Sequence, residues 1–533
     1  MITRFSIVTL IFFIISIIFV IVPVHLPIPF TRHRFPLNLT TAPILAIAIL
    51  WAAQCVDPAV IRTGIVGSEG IEPYNILILF FSLAYMAITL DVTGILEAAA
   101  HWVRNRGGSN GRRVFIYFYV MLTLISVVVG NDPVILTGTA FLTYYTKELA
   151  LDPTAWLISE FSAANTASMV LFVGNPTNVV ICEGFGVNNV AFSAYTVFPF
   201  LACIVFGFVA LFVQFRDNQH IQRVLSTEDQ KDPRQFLLDP IGAAIGTVHL
   251  ISCLIVILVV SFFGVDVWKI SLPFAVAKFI FDLIWDNYRY RQGTLKTRGE
   301  TIVPDGESQL RTVTAGVEPD DSKKPPSTHS SDGSPPPAKQ DIPHCASPTP
   351  MPQTWKARYA NFDSAFARHF YTLHTALPRL PFALVPFAFS QFILVEALAH
   401  QGWIDVFAVW LVRATGKEIY PTIWIVGILG VILCNLAGTN IGATILLTKV
   451  ARAADLPSPT LRAAAIALAV ASNIGAVSFT FSASLAGLLW RGIIESRGIH
   501  ISQRKFAFWN LLPITMMTGV GLAVVCAEMA VLY

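Results

Sequence analysis

The sequence predicts an all-α polytopic membrane protein with two inverted repeats, each with a re-entrant helical hairpin and a broken transmembrane helix. Three observations support this fold class. Of the 533 residues, 54% are hydrophobic and only 13% are charged, whereas soluble proteins carry about 25% charged residues. Most of the apolar runs approach the ~20 residues that a helix needs to cross a bilayer. Finally, the two halves of the chain share a pattern of apolar runs interrupted at motifs that contain asparagine.

The apolar runs divide the chain into an N-terminal transmembrane half, residues 1–285, and a C-terminal transmembrane half, residues 371–533. The first repeat covers residues 74–215, and the second lies in the C-terminal half. The runs of the first half fall at 7–24, 42–55, 74–96, 114–129, 134–145, 155–182, 190–215, 241–264 and 267–284. Those of the second half fall at 380–399, 421–436, 441–450, 461–494 and 506–532.

Two runs, 134–145 and 441–450, are too short to cross a bilayer. Each follows directly after a break in the preceding run, at 114–129 and 421–436. We therefore predict that each short run pairs with the run before it as a re-entrant helical hairpin.

Loop charges predict the orientation of the two repeats, because cytoplasmic loops carry an excess of lysine and arginine. The loop around Arg104 is basic, and Asn131 follows Arg104 at the same spacing at which Asn440 follows Arg413. Arg104 is predicted to face the cytoplasm and Arg413 the opposite side. The second repeat is therefore predicted to be inverted, as in transporters that work by alternating access.

Residues 286–370 differ in composition from both halves. They include the stretch KKPPSTHSSDGSPPPAK, which is rich in proline, serine and charge. Such a segment cannot bury enough apolar surface to offset its ordering entropy. We predict a disordered linker, and basic residues at its start place it in the cytoplasm. We expect the membrane to be the plasma membrane or an internal (vacuolar) membrane, and the sequence does not choose between them.

The candidate site lies at the interruptions. In hydrocarbon, a broken helix is tolerated only where it is buried in protein or lines a wet cavity, and secondary transporters place their ion and substrate sites at such breaks. The first half has two interruptions, Gly130-Asn131-Asp132-Pro133 and Gly174-Asn175-Pro176-Thr177-Asn178; the second has Thr439-Asn440 and Ser472-Asn473-Ile474-Gly475. The predicted substrate- or ion-binding residues are Asn131, Asp132, Thr137, Asn165, Gly174, Asn175, Thr177, Asn178, Thr439, Asn440, Thr444, Ser472 and Asn473.

Asp132 is the foremost candidate, because a carboxylate at membrane depth costs roughly 2.5–3.5 kcal/mol on insertion scales. We expect it to carry a proton or to hold a cation. A competing and compatible interpretation is a helix cap before Pro133. The asparagines can bind a solute without charge or satisfy the broken backbone. Glu160, on the run before the first break, is interpreted as an interfacial residue only a turn or two inside the membrane.

Several chemistries have no counterpart in the sequence. There is no GxxxxGK[ST] phosphate loop, no metal-ligand spacing of histidines and no GxSxG motif, so an enzyme is not expected. A membrane-embedded enzyme or receptor would also need a His/Asp cluster or a soluble domain, and neither is visible. The net charge of +3 gives no indication of nucleic-acid binding. No cofactor is expected, apart from a coupling H⁺ or Na⁺.

The motifs NDPVILT, FSAANTASMVLFVGNPTNVV, GTNIGATILL and ASNIGAVSFTFSASLAGLLWRGIIESRGIHIS resemble the arsenite/antimonite efflux permeases of the ion transporter superfamily. The same superfamily contains citrate-type and dicarboxylate transporters and a class of bacterial sodium/proton antiporters. The resemblance implies a two-repeat fold in which hairpin tips and broken helices meet at one site. In those permeases an aspartate tends to stand where this chain has Asn473.

These observations predict a secondary active transporter that moves a small inorganic or organic anion, with an arsenite-like solute favoured, coupled to the proton or to the membrane potential. The alternatives are a sodium/proton antiporter and a dicarboxylate or citrate transporter of the same fold. The expected partners are the small-molecule or ion substrate and the lipid bilayer, with no nucleic acid. Whether the chain forms a homodimer is left open.

Overall fold

The computed structural model describes residues 2–27, 34–68, 70–225, 231–263, 265–296 and 355–533. Up to residue 296 the helices are α1 (Arg4–Ile21), α2 (Thr41–Ala52), α3 (Pro58–Val66), α4 (Pro73–Val92), α5 (Ile95–Gly107), α6 (Gly111–Val129), α7 (Asn131–Glu148), α8 (Pro153–Ala167), α9 (Pro176–Phe185), α10 (Asn189–Gln214), α11 (Pro240–Val260) and α12 (Trp268–Gln292). From residue 355 they are α13 (Trp355–His369), α14 (Tyr371–Ala376), α15 (Leu384–His400), α16 (Trp403–Thr415), α17 (Ile419–Leu436), α18 (Asn440–Ala453), α19 (Ser458–Val477), α20 (Leu485–Ser496) and α21 (Gln503–Leu532).

Nine helices within the described ranges are long and apolar enough to cross a membrane. The prediction of an all-α polytopic membrane protein is confirmed. A small departure is an antiparallel pair of four-residue strands, β1 (Val24–Pro27) and β2 (Arg34–Leu37), between α1 and α2. Most of their residues are exposed, so the strands contribute little to the core.

The order of elements recurs in the two halves. Helices α4 to α10 correspond to α15 to α21, and α5 and α16 have 13 residues each. Gly94 before α5 and Gly402 before α16 both adopt positive φ angles, 84° and 77°, which glycine adopts without steric cost. In each half, a helix is followed by an irregular segment with a three-residue 3₁₀ turn, Phe172–Gly174 or Phe481–Ala483, and then by a short helix. The inverted orientation of the repeats stays a prediction.

The two repeats pack against each other reciprocally. Helix α7 of the first repeat contacts α20 of the second, and α18 of the second contacts α9 of the first. Helices α10 and α21, which occupy equivalent places, pack along one another. Each predicted hairpin therefore reaches across to the short helix that follows the break in the other repeat.

The structure adds detail to two predicted regions. The apolar runs 134–145 and 441–450 lie within helices of 18 and 14 residues. The predicted linker 286–370 is too wide, since α12 continues to Gln292 and α13 begins at Trp355. The polar residues at its start are helical and paired: Asp286 accepts hydrogen bonds from Thr372, and Arg289 pairs with Asp239 at 3.1 Å. Residues 297–354 lie outside the described part of the chain.

Candidate functional site

Among the described helices, four begin at one cavity between the two repeats. Helices α7 and α18 start at the tips of the two predicted hairpins, and α9 and α20 start after the two irregular segments. The cavity has a volume of about 270 Å³ and is lined by both halves of the chain, through Phe80, Asn131, Asp132, Asn175, Pro176, Leu384, Asn440, Ile441, Ser484, Leu485 and Ala486. We call it the central cavity.

Each hairpin tip turns on a glycine. Gly130 separates α6 from α7 with φ 84° and ψ 172°, a backbone conformation that is essentially restricted to glycine. Gly438 has φ 81° just before α18. Thr439 follows as the N-cap of α18, and its hydroxyl accepts a hydrogen bond from the amide of Gly442 at 3.3 Å. The tips can therefore reverse direction sharply and deliver Asn131 and Asn440 to the central cavity.

The first break lies between α8 and α9. The 3₁₀ turn Phe172–Gly174 interrupts the helix, and the Asn175 side chain caps α9 by accepting a hydrogen bond from the amide of Thr177 at 3.1 Å. Proline at the first position of α9 costs no hydrogen bond, because the amide there has no intrahelical partner. The sequence predicts this break correctly.

The second break was predicted at Ser472–Gly475, and this prediction was wrong. Helix α19 runs without interruption through Ser472 and Asn473 to Val477, and the irregular segment follows it. Its alanine-rich sequence favours helix strongly enough to tolerate one glycine. The Ser484 hydroxyl caps α20 by accepting a hydrogen bond from the amide of Gly487 at 3.1 Å. Ser484, which was not among the predicted residues, is the counterpart of Asn175; the parallel between FVGN and FSAS before the short helix is the signal for it.

Behind the central cavity, buried amides satisfy the broken backbone. Asn178 donates hydrogen bonds to the carbonyl oxygens of Ser168 and Leu171 at 2.8 and 2.9 Å. Asn473 donates to the side-chain oxygen of Asn178 at 2.8 Å and accepts from the Ser168 hydroxyl at 2.9 Å. Helix α19 of the second repeat is thereby joined to the break of the first, and Asn178 and Asn473 support the site from behind.

Two further asparagines, Asn165 and Asn435, hold a tip or an irregular segment in place. Asn131, at the first tip, donates to the side-chain oxygen of Asn165 at 3.0 Å, so Asn165 holds the tip against α8. In the second repeat, the side-chain oxygen of Asn435 accepts hydrogen bonds from the amides of Phe479 and Thr480 at 2.8 and 3.2 Å. Asn435 was not predicted, although an asparagine at the end of an apolar run just before a tip is a usable signal.

Asp132 lines two cavities. Besides the central cavity, it borders a second one of about 430 Å³ that is also lined by Gly174 and Arg379. The N-cap of α7 is Gly130, so the interpretation of Asp132 as a helix cap was wrong. None of the described residues donates a side-chain hydrogen bond to its carboxyl group. Asp132 is therefore available to a proton, a cation or a solute.

The sequence profile described as "Citrate transporter" matches residues 10–291, which is more than half of the chain. The chain belongs to the citrate transporter family. It is also similar to the arsenical pump membrane protein of Escherichia coli (strain K12), with 25% identity over 242 residues, 44% of this chain and 56% of that protein. An uncharacterized transporter of Mycobacterium tuberculosis is 24% identical over 136 residues, 24% of this chain and 32% of that protein. The chain thus spans about half the length of the first of these curated relatives.

Among solved structures, the chain is similar to the YdaH transporter of Alcanivorax borkumensis, with a TM-score of 0.44 and 11% sequence identity. The match covers 99% of this chain and 98% of that one.

In this member of the citrate transporter family, the predicted residues divide into three groups. Those that line the central cavity are Asn131, Asp132, Asn175 and Asn440. Those that cap or support the tips and breaks are Thr439, Thr177, Asn165, Asn178, Asn473 and Gly174, the last of which also lines the second cavity. The third group lies apart from the central cavity and consists of Thr137, Thr444 and Ser472. Thr137 lines a separate cavity, and Thr444 is buried without a hydrogen-bond partner among the described residues. Ser472 donates a hydrogen bond to a carbonyl oxygen of its own helix.

Arg379 was not predicted. It lines the cavity of about 430 Å³ with Asp132, and its guanidinium group donates to Asp91 at 2.7 Å. The sequence signal for Arg379 is a basic residue that lies between Pro378 and Pro381 at the start of an apolar run. No group of three or more His, Cys, Asp or Glu side chains that could hold a metal ion occurs within the described ranges.

Proposed function

We propose that the chain is a secondary active transporter that moves a small inorganic or organic anion, with an arsenite-like solute favoured, coupled to the proton or to the membrane potential. The observation that carries this proposal is the central cavity, where four helix N-termini, three asparagine side chains and one carboxyl group converge.

Helix N-termini support an anionic solute. Each carries unpaired amide donors and a partial positive charge, so an anion is stabilised near it. Four such ends at one cavity, two from each repeat, favour negative charge more than one end would. Asn131, Asn175 and Asn440 add neutral donors and acceptors that can bind oxygen atoms of a solute.

The size of the central cavity supports a small solute. Residues of both repeats enclose it within a space of about 270 Å³. Arsenite, succinate and citrate are all small, so the volume alone does not choose between them. The name of the arsenical pump relative supports an arsenite-like solute, and the family description supports citrate as the second candidate.

Asp132 is proposed to supply the coupling. An ionised carboxylate among four helix N-termini competes with an anionic solute for the same positive field. Binding of H⁺ or Na⁺ at Asp132 removes this competition, and so links the ion to the solute. A sodium/proton antiporter would also use this carboxylate, but it would not need an anion site. The four helix N-termini at the cavity therefore support a carrier of an anionic solute over an antiporter.

The experiment is solute uptake into inverted membrane vesicles that contain the full chain. Arsenite, citrate, succinate and sodium are tested one at a time, with and without a pH gradient. The proposal expects gradient-dependent accumulation of at least one of the three anions or oxyacids. Movement of sodium alone would support the antiporter instead, and movement of none would refute transport of these solute classes. Vesicles prepared separately from plasma and vacuolar membranes test which membrane holds the protein and whether the linker lies on the cytoplasmic side.

A further inference from the structure

Glu160 lies in the middle of α8 and is buried, with 1% of its surface exposed. The depth of Glu160 in the membrane, a turn or two from the interface, stays a prediction. One carboxyl oxygen, Oε2, accepts a hydrogen bond from the Thr139 hydroxyl of α7 at 3.0 Å. The other, Oε1, is buried without a hydrogen-bond partner among the described residues. It lies against Gly138, where an added Cβ would collide with it.

In the part of the chain that the structure describes, no cation is positioned to balance a charge on Glu160. Helix α8 packs against α6, α7, α10, α19, α20 and α21. The buried or partly buried titratable groups of these helices are Tyr119, Asp132, Tyr145, Tyr195, Cys203, Cys526 and Glu528. Their charged residues at or near the helix ends are Arg112, Arg113, Lys147, Glu148, Arg462, Arg491, Glu495, Arg504 and Lys505. Within the described residues, none of these groups forms an ion pair or a hydrogen bond with Glu160.

Burial of an ionised carboxylate with one hydrogen bond and no cation is strongly unfavourable, and such a group binds a proton instead. We infer that Glu160 carries a proton in this conformation. A structural role alone explains the position poorly. An unpaired buried polar atom costs about 1–3 kcal/mol, and a leucine at this point of α8 would avoid that cost.

Glu160 is also placed along the same helix as the candidate coupling residue. Thr139, its partner, follows Asp132 by seven residues on α7, which is close to two helical turns and a rise of ~10.5 Å. Residues at this spacing lie on one face of a helix. The protonated carboxyl group of Glu160 therefore lies about two turns beyond the central cavity, on the face of α7 that begins with Asp132.

We propose that Glu160 is a second proton-binding site of the transport cycle; this inference rests on the proposed function. In this conformation Oε1 holds the proton. A displacement of α7 relative to α8 would expose Glu160 to the cavity of about 330 Å³ that Gly138 and Thr137 line. The O–H bond then breaks, and the proton leaves to water with no other bond changed. The returning step reverses this exchange, so nothing is oxidised or reduced.

The first test is infrared spectroscopy of the full chain in lipid vesicles near neutral pH, which detects the C=O stretch of protonated carboxylic acids. Glu160→Gln should lose such a band, because glutamine keeps the size of the side chain but has no acidic proton. The control is Glu396→Gln, since Glu396 forms an ion pair with Lys449 at 2.8 Å and should contribute no such band. An unchanged band in Glu160→Gln would overturn the inference.

The second test separates the inference from the proposed function. In proteoliposomes that hold a pH-sensitive dye, the wild type should show solute uptake accompanied by proton movement. Glu160→Gln should keep solute-for-solute exchange and lose part or all of the proton movement per solute. Thr139→Val, which removes only the hydroxyl, should keep coupling but shift its pH dependence. Absence of solute transport in the wild type would refute the proposed function, whereas unchanged proton movement in Glu160→Gln would refute the inference alone.

Discussion

Asp132 has different surroundings from the interior acids Asp91, Asp239 and Asp286. Asp91 pairs with Arg379, Asp239 with Arg289, and Asp286 accepts two hydrogen bonds from Thr372. These partners compensate the cost of burying charge. Asp132 has no such partner among the described residues and borders two cavities. Its energetic contribution to the fold is therefore small, and its charge is free to respond to an ion or a solute.

Replacement of Asp132 by asparagine should abolish coupled transport and leave the protein folded. The carboxyl group that binds the ion is lost, while the side chain keeps its shape. The melting temperature should change little, by the equivalent of about 0.5 kcal/mol, as for substitutions away from packed or paired positions. Uptake into proteoliposomes with and without a pH gradient measures the effect. Asp152→Asn is the matched control, because Asp152 caps α8 and asparagine caps equally well; full gradient-driven uptake by Asp132→Asn would contradict the coupling role.

His101 is a residue whose protonation should affect stability. It is 2% exposed in α5, outside the candidate membrane spans, and stacks on Phe236 with 3.7 Å between ring centroids. Burial, followed by the charges of Arg104 and Lys231, lowers its pKa from 6.5 to about 4. The unfolded chain thus binds a proton at a higher pH than the folded chain. The contribution of neutral His101 to the free energy of unfolding should therefore be fully present above pH 6.5. It should decrease by on the order of 2 kcal/mol as the pH drops toward 4.

His101→Phe should remove this part of the acid sensitivity, because phenylalanine keeps the stack and does not titrate. The measurement is the thermal unfolding midpoint of the purified protein at pH 7, 5.5 and 4. His400→Gln, at an exposed position of α15, is the control and should keep the wild-type profile. Equal pH profiles for His101→Phe and the wild type would show that another group causes the acid sensitivity.

At the level of elements, the site depends on where helices stop. A tip or break places unpaired amides and carbonyls inside the membrane, and each must find a partner. Asn175, Thr439 and Ser484 cap the helices that begin there, and Asn178 and Asn435 satisfy the segments between them. Of the three asparagines that line the cavity, Asn175 thus also caps a helix.

Gly130→Ala should impair both folding and transport. Its φ of 84° and ψ of 172° suit glycine alone, and a side chain there costs about 1–3 kcal/mol. The added Cβ would also lie 3.3 Å from the carbonyl oxygen of Gly174, so the tip would be pushed away from the first break. Unfolding midpoints and solute uptake measure the two effects.

The control for Gly130→Ala is Gly519→Ala. Gly519 lies inside α21, and an added Cβ has nothing within 4 Å. Alanine there should be neutral or should stabilise the protein by about 0.5–1 kcal/mol. If both variants transport at the wild-type rate, the tip does not need the conformation that glycine allows.

The sequence predicted the tips and the first break because glycine and proline act locally, through backbone freedom and a missing donor. It did not predict the second break, where no proline marks the end of α19 and Ser484 is an inconspicuous cap. The burial of Glu160 and the pairing of Arg379 with Asp91 also escaped prediction. Both depend on which helix faces which, and a single sequence does not encode that locally.

At the level of the whole molecule, the two halves are joined by direct contacts on both sides of residues 297–354. The backbone amide of Thr372 donates to Asp286 at 2.7 Å, and its hydroxyl donates to the same carboxyl group at 2.9 Å. His369 hydrogen-bonds with Asn287 at 2.8 Å and stacks on Tyr290. These contacts fix α14 and the end of α13 on α12, close to where the chain leaves the first half.

Because these contacts hold the halves together, the covalent connection should contribute little to stability. Residues 308–352 lie outside the described part, and the sequence predicts them to be disordered. Their removal should leave transport intact, since shortening a flexible tether to this extent changes the loop-closure free energy by only about 1.3 kcal/mol. The measurement compares solute uptake and the unfolding midpoint of the deletion variant with the wild type.

The counterpart to the deletion is the double variant Asp286→Asn with Thr372→Val, because it keeps the linker and weakens the direct contact. We expect a lower unfolding midpoint for the double variant than for the deletion variant. A deletion variant that fails to fold, beside a double variant of wild-type stability, would mean that the linker and not the α12–α14 contact unites the two halves.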